Sequence, residues 1–170
     1  MLAEIGGASL LESHGHSAPA VVMQQYVDMH FNEEAYRAQL QEENNLFTGI
    51  FYKGQPAGYS KIILNTPCPA ISLQPVTKLE RLYLLKKFYD LKLGHALLQH
   101  TITLSKAAGD KGMWLDGWTE NHRAIRFYQK QGFETVGEGR FVLAGNHTNP
   151  VWIMLHRYQR ARQCWRQSRE

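Results

Sequence analysis

The sequence holds only two cysteines among its 170 residues, which excludes a small fold stapled by disulfides. Cys68 stands beside prolines and Cys164 lies in a basic C-terminal stretch. Because they form no disulfide framework, we expect a reducing, cytoplasmic location. No apolar run approaches the roughly 20 residues of a membrane helix, and the N-terminus lacks a signal-peptide pattern. The G-x-x-x-x-G-K-[ST] and G-x-G-x-x-G motifs are also absent, which excludes the common nucleotide-binding loops.

The composition is that of an ordinary globular protein, with 44% hydrophobic and 20% charged residues. The length predicts one domain, which we place at residues 1–158, followed by a basic tail at 159–170. Much of the net charge of +4 lies between Arg157 and Arg166. Aromatic residues lie among these arginines, yet a solvated helix end is the better interpretation, and no nucleic-acid partner is expected.

Hydrophobic spacing predicts an α/β fold with a mixed sheet. The first third reads as helical, with residues 13–19 as a loop and Asn32 as the N-cap of the third helix. The residues 53–55 form a hairpin signal. The predicted helices are 2–12, 20–31, 32–43, 94–109 and 121–131, and the predicted strands are 46–53, 56–64, 76–85, 113–118, 133–143 and 151–158.

The strand at 76–85 alternates, with Leu82 and Leu84 predicted on one face and Arg81 and Tyr83 on the other. It leads through a short loop into the helix at 94–109, a geometry that aims backbone N–H groups and the helix dipole at one point. Gly94 lets a ligand approach the backbone, and three lysines add positive charge. A phosphate site and an ordinary turn with solvated lysines both explain this pattern.

Two motifs resemble those of the GNAT superfamily of N-acetyltransferases. The first is Leu-Glu-Arg-Leu-Tyr-Leu at 79–84, followed by Tyr-Asp-Leu-Lys-Leu-Gly-His-Ala-Leu-Leu at 89–98. The second is N-x-x-A-x-x-F-Y-x-x-x-G-F at 121–133. The chain looks closest to the PaiA-like branch, whose better-known members acetylate polyamines. The resemblance implies a splayed, mixed central sheet flanked by helices, with the usual first strand missing before the first helix.

The resemblance implies acetyl-CoA as co-substrate and no metal. The main chain of Leu82, Tyr83 and Leu84 would hold pantetheine. Asn121 would bond to the same arm, although it also reads as a helix N-cap. Lys130 would lie near the nucleotide end, or on a solvated face. The amides that would hold the pyrophosphate belong to the loop and helix start, which include Tyr89, Lys92, Leu93, Gly94, His95 and Ala96. Tyr89 and Lys92 depart from the family's Gln or Arg and Gly.

For catalysis, the resemblance implies Tyr128 as the general acid that protonates the leaving thiolate, with simple packing as the alternative. Asn121 is grouped with it as a catalytic residue. The family's base position is occupied by Lys78, so Glu80 is the natural substitute, although a surface salt bridge explains Glu80 nearly as well. Asp116 is a second carboxylate that can act as base or bind a cationic acceptor.

The predicted activity is acetyl transfer from acetyl-CoA to a primary amine by direct attack in a ternary complex. The acceptor remains open among a polyamine, an amino acid and a peptide N-terminus, and Tyr26 is expected in its pocket or in the core. The alternative is a catalytically silent acetyl-CoA-binding regulatory module. Membrane partners are not expected, and a homodimer remains open. His14 and His16 lack a third ligand, which argues against a metal site.

Overall fold

A computed structural model describes residues 1–144 and 147–159 of the chain. The predicted basic tail, including Cys164, falls outside these residues except for its first position. The described residues form five α-helices and six strands, in the order α1 Leu2–His14, α2 Ala20–His30, α3 Glu33–Gln41, β1 Asn45–Tyr52, β2 Gln55–Ile63, β3 Thr77–Leu84, α4 Leu93–Ala107, β4 Gly112–Trp118, α5 His122–Lys130, β5 Glu134–Val142 and β6 Thr148–Arg157. Within these ranges, none of the helices has the length and apolar character needed to cross a membrane.

The strands form one mixed sheet in the order β1-β2-β3-β4-β6-β5. The central β3–β4 pair is parallel, and the other four pairs of neighbouring strands are antiparallel. The β1–β2 hairpin turns through Lys53 and Gly54, whose φ angles of 48° and 77° match the left-handed turn that a two-residue hairpin needs. The mixed-sheet prediction is confirmed.

Each face of the sheet carries its own apolar core. On one face, α4 packs Leu98 and Ile102 against Ile62, Leu79 and strand residues of β4 and β6. On the opposite face, α1, α2 and α3 pack a second cluster, made by Ile5, Leu10, Met23, Phe31, Tyr36, Tyr59 and Leu143. The sheet is therefore covered on both sides, and its central strands are buried.

Helix α1 approaches the sheet closely at Gly6. A β-carbon at this position would lie 2.7 Å from the Tyr59 hydroxyl and would also collide with the hydroxyl of Tyr36. The two hydroxyls bond to each other at 2.5 Å. The absence of a side chain at Gly6 thus lets α1 sit directly on this tyrosine pair.

The predicted loop at 13–19 starts too early. Helix α1 continues to His14, because the Ser13 hydroxyl donates to the Ser9 carbonyl and the Gly15 amide donates to the Leu11 carbonyl. Serine can satisfy a helical carbonyl in this way while remaining in the helix. The helix end therefore carries His14 toward the middle of the sheet.

Strict alternation along β3 is also wrong. Leu79 and Leu82 are three residues apart, yet both pack on the core that α4 covers. The register explains this, because Lys61 pairs with Arg81 while Ile62 pairs with Leu79, so that Glu80 is an extra residue. Such a bulge switches which residues face each side. After the bulge, Leu82 and Arg81 lie on opposite faces of the sheet, as predicted.

Candidate active site

The central strands β3 and β4 separate after a short paired stretch. Their pairing comprises Thr77 with Met113 and Lys78 with Trp114. Beyond these two rungs the strands diverge, and a cavity of about 1140 Å³ opens between them and the starts of α4 and α5. The implied splay of the sheet is thus present, and the cavity is large enough for an extended ligand.

The open edge of β3 forms one wall of this cavity. Leu82, Tyr83 and Leu84, to which the family resemblance assigns pantetheine binding, all line it. Helix α1 anchors the strand's end, because the Ser9 hydroxyl donates to the Leu84 carbonyl at 2.9 Å. The Lys86 amide also donates to the Glu12 carboxylate at 2.7 Å. The wall is therefore held in place by a helix that lies across the sheet.

The start of α4 presents free amides to the same cavity. Lys92 is the N-cap, with a left-handed φ of 59° and no side-chain cap bond. The first amides of a helix, here those of Leu93, Gly94 and His95, have no partner within the helix, and these three residues line the cavity. Ala96 differs from these three residues. Its amide donates to the Lys92 carbonyl, and the residue lines a second, small cavity instead.

An ion pair crosses the cavity mouth from the α4 loop to α5. The Arg123 guanidinium lies 3.0 Å from the Asp90 carboxylate and 4.4 Å from the centre of the Tyr89 ring. Both charged side chains are exposed. Sequence reasoning missed this pair, since 33 positions separate its members and no motif links them. Basic residues dominate this end of the cavity, which is lined by Lys86, Lys92, His95, Arg123, Arg126 and Lys130.

Asn121 takes the cap position that its alternative interpretation predicted. Its side-chain oxygen accepts from the Ala124 amide at 3.2 Å, at the start of α5. The oxygen is used for the cap, and the amide NH2 has no bonding partner among the described residues. Asn121 lines the cavity, so capping and donation to a ligand are compatible.

Tyr128 lies about two helical turns after Asn121 on α5 and also lines the cavity. Its ring packs at 5.2 Å from Phe127 and 5.5 Å from Phe133. Burial raises the pKa of its hydroxyl well above the ordinary value. The phenol therefore stays protonated at neutral pH, which is the state required of a proton donor.

The two candidate base carboxylates each contact a lysine. Glu80 forms an ion pair with the buried Lys61, and Asp116 lies 3.1 Å from the Lys78 ammonium. Lys78 also lies 4.7 Å from the centre of the Trp114 ring. Glu80, Asp116 and Lys78 all line the cavity. The structure thus brings both carboxylates to the site but gives each a positive partner.

Aromatic rings line the end of the cavity covered by α1 and α2. Tyr26 lines it, with its ring 5.8 Å from Phe141 and 4.5 Å from His30. The ring of His14 lies 5.4 Å from Trp118. Burial, and then the charge of His16, lowers the pKa of His14 to about 4. No group of three potential metal ligands occurs among residues 1–144 and 147–159.

The sequence profile of the Acetyltransferase (GNAT) family matches residues 10–133. The chain belongs to this family. Its membership of the family makes it an acetyl-CoA-dependent N-acetyltransferase. The matched range includes the splayed strands, the start of α4 and all of α5, and it ends at Phe133, where the second sequence motif ends.

Sequence relatives are also named N-acetyltransferases. An uncharacterized N-acetyltransferase of Lactobacillus delbrueckii subsp. lactis is 25% identical over 121 residues, which cover 71% of this chain and 70% of the relative. An uncharacterized N-acetyltransferase of Mycobacterium bovis is 25% identical over 124 residues, covering 73% and 75%. The names of these relatives specify no acceptor.

Solved GNAT structures share the fold. The PaiA N-acetyltransferase from Thermoplasma acidophilum, in complex with coenzyme A, has a TM-score of 0.73 at 19% identity and covers 92% of this chain and 91% of its own. A streptothricin acetyltransferase from Bacillus anthracis, in complex with acetyl coenzyme A, has a TM-score of 0.61 at 18% identity, covering 72% and 68%. These likenesses concern the arrangement of helices and strands.

The residues of this GNAT chain fit acetyl-CoA as co-substrate. An extended thiol-bearing arm needs an unpaired strand edge, which β3 presents beyond Lys78. The phosphates of acetyl-CoA need hydrogen-bond donors and positive charge, which the uncapped start of α4 and the surrounding basic side chains supply. One cavity joins both features.

Proposed function

We propose that this protein transfers the acetyl group of acetyl-CoA to the primary amine of a small acceptor by direct attack. The observation that carries the proposal is that β3 and β4 part after Lys78 and Trp114. The opening gathers Glu80, Asn121 and Tyr128 in one cavity with the start of α4. Hydrogen-bond donors for the phosphates at the start of α4, a proton acceptor in Glu80 and a proton donor in Tyr128 thereby share one site.

The main chain of β3 would hold the pantetheine arm, and Asn121 would donate to it through its side-chain NH2. The free amides of Leu93, Gly94 and His95 would bind the pyrophosphate, and Lys92 and Lys130 would add positive charge. Ala96 is the weakest member of the predicted set, since its amide already donates to a carbonyl.

In the proposed chemistry, Glu80 takes a proton from the acceptor ammonium, so that the free amine can attack the thioester carbonyl. A backbone N–H near Leu84 polarises that carbonyl. Tyr128 then gives its proton to the departing sulfur and regains one from the acetylated nitrogen, which loses its second proton in this step. The acetyl group passes directly to nitrogen, since Cys68 is buried within the loop between β2 and β3 and does not line the cavity.

The structural neighbours support the choice of co-substrate, because two of them are complexes with coenzyme A or acetyl coenzyme A. They do not agree on an acceptor. The family thus supports acetyl transfer to an amine, while the acceptor has to be argued from the cavity's own side chains.

A second function is favoured by one observation, namely that Glu80 and Asp116 are each paired with a lysine. An acceptor ammonium would therefore have to compete with a lysine for either carboxylate. A silent acetyl-CoA-binding module would tolerate this arrangement. Such a module would bind acetyl-CoA tightly, and its regulatory effect would pass through a partner.

Thiol release from acetyl-CoA, measured across a panel of about twenty amines, separates the two functions. The panel should hold polyamines, amino acids, peptides and drug-like amines. The transferase predicts amine-dependent release above the hydrolysis rate. Tight acetyl-CoA binding with no amine-dependent release across the panel would contradict it and favour the silent module.

A further inference from the structure

A cluster of charges with two buried cations borders the acceptor end of the cavity. It consists of Lys61, Glu80 and Arg81, with the Gln39 side chain between the two cations. The Gln39 oxygen accepts from Lys61 at 3.0 Å and from Arg81 at 3.1 Å. Glu80 pairs with Lys61. Glu80 neutralises Lys61 and the Gln39 side chain is neutral, so the cluster keeps a net charge of +1.

Arg81 is the member without a counter-ion. It is only 9% exposed, and no carboxylate among the described residues lies within ion-pair distance of it. A guanidinium has five N–H donors, and the side-chain acceptors beside it, the Gln39 oxygen and the Tyr36 hydroxyl, are both neutral. The rings of Phe31 and Tyr36 lie 5.0 Å and 5.4 Å from it. Rings attract a cation but accept no in-plane hydrogen bonds.

The surrounding groups do not cancel this charge. The next charged pair along the cavity, Lys78 with Asp116, is neutral as a whole. Burial, followed by the charge of Arg81, lowers the pKa of His30, and the opposing effect of Glu80 is smaller. A buried cation of this kind is costly unless an anion pairs with it. Since Arg81 lines the cavity, a ligand can supply that anion.

The geometry points to a free amino acid as the acceptor, with its carboxylate bound by Arg81 and its amino group beside Glu80. This inference rests on the proposed acetyl transfer and narrows its substrate class. Glu80 forms an ion pair with Lys61, Arg81 is the register partner of Lys61, and both Glu80 and Arg81 line the cavity, so one small zwitterion can reach both. The ammonium passes one proton to Glu80, the amino nitrogen bonds to the acetyl carbon, and the C–S bond breaks. The second proton of the nitrogen replaces the one that Tyr128 gives to the departing sulfur.

The same cluster disfavours a polyamine. A polyamine brings further ammonium groups and no carboxylate, and these would meet the uncompensated charge of Arg81. A peptide N-terminus has its neighbouring carboxyl group converted to an amide, so it also leaves Arg81 without an anion. The free carboxylate is thus the feature that the acceptor must carry.

Matched pairs that differ only in the carboxylate provide the test. Suitable pairs are ornithine with putrescine, lysine with cadaverine, and phenylalanine with phenethylamine, each assayed on the full chain with acetyl-CoA. For the pair whose side chain fits, kcat/KM should be at least about tenfold higher for the amino acid, through KM. The amino acid amide should behave like the decarboxylated amine.

Variants of Arg81 show whether this residue sets the preference. Arg81→Gln should bring the ratio within each pair close to one, with the KM for acetyl-CoA unchanged, and Arg81→Lys should keep part of it. Gln39→Met is the control for a structural role, since it removes the bonded oxygen but keeps the cation, so the preference should persist. A preference that survives in Arg81→Gln, or that vanishes equally in Gln39→Met, would overturn the inference.

A binding measurement covers the case in which Arg81→Gln fails to fold. Titration of the wild-type protein with each pair, in the presence of coenzyme A, should give tighter binding of the amino acid. Equal or tighter binding of the decarboxylated amines overturns the inference even if they are acetylated. Absence of thiol release with every acceptor, despite amino acid binding, contradicts the proposed function instead and leaves the carboxylate site supported.

Discussion

The Lys78 ammonium lies 3.1 Å from the Asp116 carboxylate, just beyond the point where β3 and β4 separate. This contact ties the two diverging strands together at the root of the cavity. It also gives Asp116 a structural task, because both side chains are three-quarters buried. Glu80, whose partner Lys61 lies on β2 outside the splay, is the carboxylate better suited to proton transfer.

Glu80→Gln should therefore reduce kcat/KM about tenfold at neutral pH and shift the rate profile toward higher pH. The acceptor ammonium would then have to lose its proton to solvent before attack. The measurement is the pH dependence of kcat/KM for the acceptor. Asp116→Asn serves as the comparison and should keep the wild-type profile shape. A shifted profile in Asp116→Asn and an unchanged one in Glu80→Gln would exchange the two roles.

Tyr128→Phe should lower kcat by about 100-fold, with the KM for acetyl-CoA nearly unchanged, because only the proton donor is lost. Tyr158→Phe is a matched control. Tyr158 also has a pKa raised by burial, but its hydroxyl donates to Ser105 at 2.8 Å and it does not line the cavity. Equal rates for Tyr128→Phe and wild type would assign Tyr128 to packing.

Asp90→Asn should tighten acetyl-CoA binding, whereas Arg123→Met should weaken it roughly tenfold. Breaking the exposed Arg123–Asp90 ion pair costs little free energy, so Arg123 can move from the carboxylate to a phosphate. Isothermal titration at two salt concentrations measures both effects. Arg37→Met changes the net charge equally on α3, where Arg37 is ion-paired with Glu33 away from the cavity, and should bind normally. Weaker binding by Asp90→Asn would contradict this account.

Acidification should destabilise the protein through His14. Its pKa is about 4 in the folded state against an ordinary 6.5, so the unfolded chain takes up a proton first as the pH falls. Stability is therefore lost between about pH 6.5 and 4, by at most about 3 kcal/mol from this group. Urea unfolding at pH 7.5 and 5 measures the loss. His14→Gln should reduce the difference between the two pH values, and His16→Gln should change it little.

Much of the fold followed from spacing alone, because amphipathic helices and a Lys-Gly-Gln turn leave clear local patterns. Asn32 was predicted as a cap, and its side chain accepts from the Ala35 amide. The bulge at Glu80 had no such pattern. It depends on how β2 pairs with β3, and it decides which side chains of β3 share a face.

The candidate site divides in the same way. The start of α4, Asn121 and Tyr128 belong to local motifs, and all of them line one cavity. The importance of Arg81 was not visible in sequence, where it was one alternating residue of a strand. Its burial, and the lack of a carboxylate against it, arise from side chains on α2, α3 and β2 that the fold brings together.

The most direct test of the account is an initial-rate study with acetyl-CoA and acceptor both varied, and with the product identified by mass. Direct transfer predicts intersecting double-reciprocal lines and an acceptor acetylated once on nitrogen. Parallel lines would indicate an acyl-enzyme, and acetyl-CoA consumption without an acetylated acceptor would contradict the transfer itself.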